Sequence, residues 1–323
     1  MQKLLCLVPF SPEDRARLEA AAGDACQITW ASDFRAEIDG YDLVIGNPSQ
    51  QKIAACAGRL QWVQLVSSGT DRYDGAFPSS VTLTCATGVF GRSISQHVLA
   101  MLLGLYGHFP AYGRLQSRNL WQPDFHGRSL YGSSVLILGA GDIGAGVARL
   151  LKVPFACHVT GIKRDPSRIP ENFDALYTLE ALDSLLPETD VLVCALPATA
   201  ATRGLLDRRR LGLLKPGATV INVGRGNLLD HEALADALDS GALFGAGLDV
   251  TDPEPLPPDH RLWAMDNVII TPHVSGPSFT EQGYMCRAIA DLCAENLRRF
   301  LAGERLVNLV DIKHGYAAKT PGL

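Results

Sequence analysis

A run of four aliphatic residues, Val135 to Leu138, ends abruptly at three spaced glycines, Gly139, Gly141 and Gly144. The apolar pattern then resumes with helical spacing as far as Leu151. A run this short and this apolar reads as a parallel strand buried on both faces. In a strand–turn–helix crossover the first glycine permits the tight turn and the second lets a pyrophosphate approach the backbone. The third lets helix and strand pack closely. Free N–H groups at the helix start, reinforced by the helix dipole, then face the phosphates, with Asp142 and Ile143 inside the loop. The glycine spacing alone is a weak signal, because a purely structural glycine turn looks the same. Here the strand before it and the helix after it supply the context of a dinucleotide site.

Three hundred and twenty-three residues are too many for one ordinary core and suit two domains. With 29 Lys and Arg against 34 Asp and Glu, the net charge is −5, which gives no footing for a nucleic-acid backbone. The eight cysteines form no Cys-x-x-Cys pair and lie mostly in apolar runs, the pattern of buried thiols in a reducing compartment. Met1 to Phe10 is apolar but too short for a signal peptide, and no run approaches the roughly 18 apolar residues of a membrane span. A cytoplasmic protein without a membrane partner is expected.

Short strands are predicted at Leu4 to Val8, Asp42 to Ile45, Trp62 to Val66 and Val81 to Cys85, with helices between them. The first of those helices starts at Ser11, with Pro12 in its first turn and Glu13 and Asp14 behind it. Strands alternating with helices imply a parallel sheet. Ser67 to Asp71 is a small-residue loop directly after a strand, where open α/β sheets tend to bind ligands. From Ser95 to about Arg118 the pattern is one long helix crossing between domains, with Pro110 expected to kink or end it. Leu120 to His126 is irregular and aromatic. It reads as a packed surface arm, with a dimer contact or a place at a substrate mouth as the other reading. The second domain adds strands near His158 to Gly161, Asp190 to Ala195, Thr219 to Val223, Gly245 to Val250 and Asn267 to Thr271. With Val135 to Leu138 they make six, the number in a doubly wound dinucleotide-binding sheet. A helix over Glu281 to Leu301, with Ile289, Leu292, Leu297 and Phe300 on its apolar side, is expected to pack back on the first domain with the tail Leu306 to Tyr316. The fold class is α/β, with two doubly wound parallel-sheet domains.

Three side chains at the C-terminal ends of these strands stand out: Arg225, Glu254 and His273. An arginine offers a planar fork to a carboxylate or carbonyl oxygen. Histidine is the side chain best suited to move a proton near neutral pH. A glutamate on the imidazole's other nitrogen orients it and raises its basicity. Each has a plain structural alternative: a solvated loop charge, a hydrogen-bonded histidine after a proline, a decoration on a proline-rich turn. Together, beside a dinucleotide loop, they suggest chemistry.

The chain resembles the D-isomer-specific 2-hydroxyacid dehydrogenases over nearly its whole length. The resemblance rests on Leu138 to Gly144 (LGAGDIG), Leu196 to Leu206 (LPATAATRGLL), Leu214 to Gly226 (LKPGATVINVGRG), Gly247 to Leu256 (GLDVTDPEPL) and Asn267 to His273 (NVIITPH). It implies that His273 is the general acid/base, Glu254 its partner, and Arg225 the group that binds substrate carboxylate and carbonyl oxygen. It also implies that Asp249 and the Val223 carbonyl orient the nicotinamide carboxamide, and that the N–H groups of Ser68 and Gly69 receive the substrate carboxylate. The cofactor-binding set is then Gly139, Gly141, Asp142, Ile143, Gly144, Lys163, Arg164, Leu196, Pro197, Thr202, Val223, Gly224, Asp249 and Gly276, with no metal. A Rossmann domain over 98–281 would be inserted into a flavodoxin-like substrate domain built from 1–97 and 282–323, and a homodimer is implied. The chain departs from the family pattern at Ser95, Gln96 and His97, where members often carry Ala-Glu before the long helix.

The residues also speak to the cofactor. Enzymes that use NAD place an acid about 20 residues beyond the loop, at the end of the second strand, to bond the ribose 2′-hydroxyl. Here that strand ends in Gly161, Ile162, Lys163, Arg164 and Asp165. Lys163 and Arg164 stand where a 2′-phosphate would lie, so NADP(H) is the expected cofactor. NAD(H) is the alternative, with Asp165 as its acid or the basic turn an ordinary one. The resemblance then implies reduction of a small 2-oxo acid such as glyoxylate or hydroxypyruvate, with a side-chain pocket near Asn47, Ser68 and Phe90, joined by Trp121 of a second subunit. Two other readings stand beside it: an NAD(P)H-sensing, corepressor-like binding protein on the same fold, and a phosphoglycerate-type or formate-type relative. Glu254 disfavours the formate type, where an amide is expected.

Overall fold

The computed structural model describes residues 1–73, 76–123, 126–276, 284–312 and 316–317. The chain divides into two compact units, Met1–Phe90 with Pro277–Leu323, and Gly91–Gly276.

The first unit is a parallel sheet of β1 (Gln2–Cys6), β2 (Cys26–Trp30), β3 (Leu43–Ile45), β4 (Trp62–Gln64) and β5 (Thr82–Thr84), in the order β2-β1-β3-β4-β5. This is the flavodoxin-like doubly wound order. Helix α1 (Pro12–Ala22) starts as the sequence predicts, with the Ser11 hydroxyl accepting the Asp14 N–H at 3.1 Å. Helix α2 (Gln50–Ala55) joins β3 to β4. One face of the sheet buries Leu4, Cys6, Leu43, Ile45 and Trp62 with Leu18 of α1 and Ile289 and Leu297 of the terminal helix, Tyr284–Leu301. The other buries Leu5, Val44, Val63 and Leu83 with Ile53 of α2. Phe300 stacks on Trp62 with ring centroids 5.5 Å apart. The terminal helix is therefore part of this unit's core, as its spacing predicts. Strand β2 was not among the predicted strands: on this sheet edge Gln27 and Thr29 face solvent and break up the apolar run.

The second unit is a seven-stranded parallel sheet: β6 (Ser134–Leu138), β7 (His158–Ile162), β8 (Ala175–Tyr177), β9 (Val191–Cys194), β10 (Ala218–Asn222), β11 (Leu243–Leu248) and β12 (Val268–Ile270). The order is β12-β11-β10-β9-β6-β7-β8. Counted from β6 this is the doubly wound order of a dinucleotide-binding domain, with one strand more than the predicted six. The extra strand, β8, is a three-residue edge. The strand order reverses between β6 and β9, the place where such sheets hold ligands. Leu136, Leu138, Leu192, Val220 and Leu248 form one buried face with Leu234 and Leu238 of the helix His231–Asp239.

The single long helix expected from Ser95 breaks into α3 (Gly91–Tyr106) and α4 (Phe109–Ser117). The break falls at His108, which has φ 54°, and Pro110 sits in the first turn of α4, where its missing N–H costs no helical bond. The expected junction at 97/98 lies at 90/91 instead. Helix α3 belongs to the second unit from its first residue, since the Gly91 N–H donates to the Asp142 carboxylate at 2.7 Å. The other expected junction, 281/282, lies outside the described residues. Beyond α4 the packed-arm expectation fails for Trp121, which is 97% exposed, beside the exposed Leu120.

Among the described residues no helix is long and apolar enough to cross a membrane, and no group of three or more His, Cys, Asp or Glu is placed to hold a metal ion.

Candidate active site

Arg225, Glu254, His273 and the glycine loop all lie in segments that follow the C-terminal ends of strands of the second unit's sheet. After β6, Gly139 takes φ 104°, and a Cβ there would stand 2.7 Å from the Ala195 carbonyl oxygen. A Cβ on Gly144 would stand 2.2 Å from the Gly139 carbonyl oxygen. Neither position tolerates a side chain. A Cβ on Gly141 would meet nothing within 4 Å, so open space adjoins the N-terminus of α5 (Asp142–Lys152) at that residue. The three glycines thus divide the roles that a phosphate-binding crossover requires. Ile143 lies in the first turn of α5, and Asp142 is turned to the start of α3.

Lys163 follows the last residue of β7 and is fixed there by its N–H on the Tyr177 carbonyl at 2.9 Å. Arg164 and Asp165 come next, both exposed. The Asp165 carboxylate accepts the Ser167 hydroxyl at 2.6 Å and its N–H at 3.2 Å, closing a local turn. The alternative acid for a ribose thus caps a local turn, and the two cations directly follow the strand.

Beyond β9, Leu196 and Pro197 begin a loop that Thr202 ties together. Its hydroxyl donates to the Pro197 carbonyl at 2.6 Å and accepts the Thr199 N–H at 2.8 Å. Beyond β10, Val223 donates its N–H to the Cys194 carbonyl, and a Cβ on Gly224 would come within 2.7 Å of the Leu196 carbonyl oxygen. These two loops therefore touch backbone to backbone.

Arg225 is set by a residue the sequence reading missed. Asn222 is fully buried at the end of β10. Its amide donates to the Arg225 carbonyl at 3.0 Å and its oxygen accepts the Gly224 N–H at 3.1 Å. A polar residue inside the run Val220 to Val223 was the available signal, since a buried amide must find partners.

Asp249, at the end of β11, is 1% exposed and holds the segment that carries His273. Its Oδ1 accepts the Thr271 hydroxyl at 2.6 Å and the Val274 N–H at 2.9 Å, and its Oδ2 accepts the Ser275 N–H at 3.0 Å. Burial pushes this carboxyl upward, but the hydrogen bonds from Ser275, Thr271 and Val274 outweigh it and hold the group below the ordinary aspartate value. The His273 N–H donates to the Asp249 carbonyl at 2.8 Å, with His273 in the left-handed region at φ 55°. Gly276 ends the described part of this segment.

The structure brings Arg225, Glu254 and His273 to one hollow, lined also by Gly226, Val250 and Thr251. His273 Nδ1 lies 3.1 Å from both carboxylate oxygens of Glu254. An ionised carboxylate only accepts, so Nδ1 carries the proton and Nε2 is left for exchange with a substrate. Close approach of the two backbones fixes the hollow's rim: a Cβ on Gly226 would lie 2.0 Å from the Thr251 carbonyl.

Ser68 and Gly69 belong to the first unit, in the loop after β4. The Ser67 hydroxyl donates to the Gly69 carbonyl at 3.0 Å and the Ser68 hydroxyl to the Ala86 carbonyl at 3.3 Å. Asn47 accepts the Val66 N–H at 3.0 Å.

Comparison with known proteins adds independent findings. The family model for the D-isomer specific 2-hydroxyacid dehydrogenase NAD binding domain matches residues 99–275. The glyoxylate reductase of Pyrococcus furiosus is 31% identical over 297 residues, covering 88% of this chain and 86% of its own. The crystal structure of a D-isomer specific 2-hydroxyacid dehydrogenase family protein from Aeromonas salmonicida superposes with a TM-score of 0.82 at 34% identity, over 96% of this chain and 99% of that one. An NADPH-dependent glyoxylate/hydroxypyruvate reductase from Sinorhizobium meliloti, solved with NADP and sulfate, superposes with a TM-score of 0.79 at 28% identity, over 98% of this chain and all of its own.

Proposed function

The chain belongs to the D-isomer specific 2-hydroxyacid dehydrogenase family, and from that premise we propose that it reduces a small 2-oxo acid, glyoxylate or hydroxypyruvate, with NADPH preferred over NADH. The family's members are NAD(P)-dependent oxidoreductases acting on 2-hydroxy acids. The observation that carries the reading is the His273–Glu254 pair, which shares one hollow with Arg225 on the sheet that bears the glycine loop.

The residues present fit a dinucleotide. The crossover excludes side chains at Gly139 and Gly144 and leaves open space at Gly141, beside the start of α5. Gly139 to Gly144 would hold the pyrophosphate, Lys163 and Arg164 a 2′-phosphate, and Leu196, Pro197, Thr202, Val223, Gly224, Asp249 and Gly276 the rest of the molecule. When bound, the cofactor supplies the hydride. Arg225, with the N–H groups of Ser68 and Gly69, fixes the substrate carboxylate. Arg225 also steadies the negative charge that develops on the carbonyl oxygen. Protonated His273 gives its Nε2 proton to that oxygen, and Glu254 holds the other nitrogen so that the ring keeps its orientation and tautomer.

The preference for NADPH is supported by the two cations directly after β7. The choice of glyoxylate or hydroxypyruvate is supported by the names of the Pyrococcus and Sinorhizobium relatives. No observation favours the NAD(P)H-sensing alternative. We further propose a cytoplasmic homodimer. The eight free cysteines suit a reducing compartment, and the exposed Trp121 and Leu120 offer apolar surface for a second copy. Light scattering on a size-exclusion column checks the dimer, and a Trp121→Ser variant should weaken it.

The direct test of the reading is oxidation of NADPH and NADH, side by side, with glyoxylate and hydroxypyruvate. Turnover favouring NADPH is expected. Turnover favouring NADH would keep the enzyme and remove the cofactor argument.

A further inference from the structure

His97 lies on α3, 174 residues from the segment that it touches. Its Nε2 stands 3.0 Å from the Thr271 hydroxyl oxygen, and that hydroxyl stands 2.6 Å from Asp249 Oδ1. A hydroxyl has one proton, and a carboxylate can only accept it. Thr271 therefore donates to Asp249, and its oxygen receives the Nε2–H of His97. The direct separation of His97 Nε2 from Asp249 Oδ1 is 3.8 Å, too long for a hydrogen bond, so the connection runs through Thr271.

The Asp249 carboxylate at the end of this chain also accepts the N–H groups of Val274 and Ser275, while its main-chain carbonyl accepts that of His273. His273 is thus pinned from both sides in a left-handed conformation that a non-glycine residue rarely adopts. Such a conformation persists only when its surroundings over-determine it. His97 is the one member of this chain that comes from outside the β11 and β12 strand ends.

We propose that His97 is a positioning residue for His273, acting through the Thr271 hydroxyl to hold the Asp249 clamp on the segment 271–275. The proposal rests on the reading of His273 as the general acid/base, and on that reading His97 controls the placement of the proton donor without touching substrate.

The test combines His97→Ala, His97→Gln, Thr271→Val, Thr271→Ser and the double variant H97A/T271V, with kcat, KM and amide hydrogen exchange as readouts. His97→Ala should lower kcat about tenfold, the effect expected of one lost orienting hydrogen bond. His97→Gln keeps an N–H donor and should recover most of that loss. In the Thr271→Val background His97→Ala should have no further effect, because both remove the same link. Exchange at the Val274 and Ser275 amides should rise about tenfold in His97→Ala and stay near the wild-type rate in His97→Gln and Thr271→Ser. Unchanged exchange in His97→Ala, or His97→Ala and Thr271→Val effects that multiply independently, would overturn the proposal. If the wild-type protein reduces no 2-oxo acid, the functional reading fails while the exchange measurements still decide the clamp. Should Thr271→Val not fold, the His97→Ala and His97→Gln pair decides by itself.

Discussion

His273 Nδ1 stands 3.1 Å from each oxygen of Glu254, so one carboxylate grips one N–H symmetrically. The grip fixes the imidazole tautomer without burying either group, since both side chains are about half exposed. An arrangement of this kind keeps a proton donor oriented, which decides what its removal does. His273→Ala should lower kcat by about 10²- to 10⁴-fold, the usual worth of a positioned acid/base. NADPH binding, followed by protein fluorescence, should be unchanged, because the proposed phosphate loop lies between β6 and α5. Glu254→Gln keeps the shape and removes the charge, and should fall between the wild type and His273→Ala.

On the proposed reading Lys163 and Arg164 set the cofactor preference, and charge is what they offer. Replacing both with alanine should raise the NADPH dissociation constant by about 10- to 100-fold, as expected for two lost charge-assisted contacts. NADH binding should change by less than about threefold, because the 2′-hydroxyl carries no charge to lose. Isothermal titration with each cofactor reads both numbers.

Gly144 is a test of packing alone. Gly144→Ala places a methyl group 2.2 Å from the Gly139 carbonyl oxygen, so strand and helix must separate. A loss of about 1 to 3 kcal/mol of stability in denaturant is expected from such overpacking, with dinucleotide affinity falling in step. Gly141→Ala meets no protein atom and should leave stability near the wild-type value while still weakening dinucleotide binding.

These predictions separate what was legible in the chain from what was not. The glycine loop, β6 and α5 could be read because one short motif demands three different glycine roles in fixed order. Arg225, Glu254 and His273 could be read as a set because each follows a strand of the same sheet. Strands β2 and β8 could not: Gln27 and Thr29 interrupt the apolar run of β2, and β8 is three residues long with none of them buried. Asn222 carried a faint signal as a polar residue in an aliphatic run. The contact of His97 with Thr271 carried none, because only the packing of α3 in the second unit brings the two together. The break of the long helix at His108 was also hidden. Pro110 marks it, but a proline fits the first turn of a new helix as well as it ends an old one.

Asp249 gives a pH prediction whose sign follows from its hydrogen bonds. Its carboxyl is held below the ordinary value of 3.8 in the folded protein. A depressed carboxyl contributes its full stabilisation above the unfolded value and loses it as pH falls through the folded one. Stability of the wild type should therefore decline on acidification below about pH 4, and that part of the slope should vanish in Asp249→Asn. Thermal melts of the two proteins across that range supply the comparison. At pH 7 Asp249→Asn should already be the less stable, because its amide sets an N–H against donors from the 271–275 segment.

The most direct measurement follows hydroxypyruvate reduction by the wild type and by His273→Ala, with the configuration of the glycerate formed determined on a chiral column. Consumption of NADPH in step with D-glycerate, lost in His273→Ala, is the predicted result. No consumption, the L-isomer as product, or full activity in His273→Ala would contradict it.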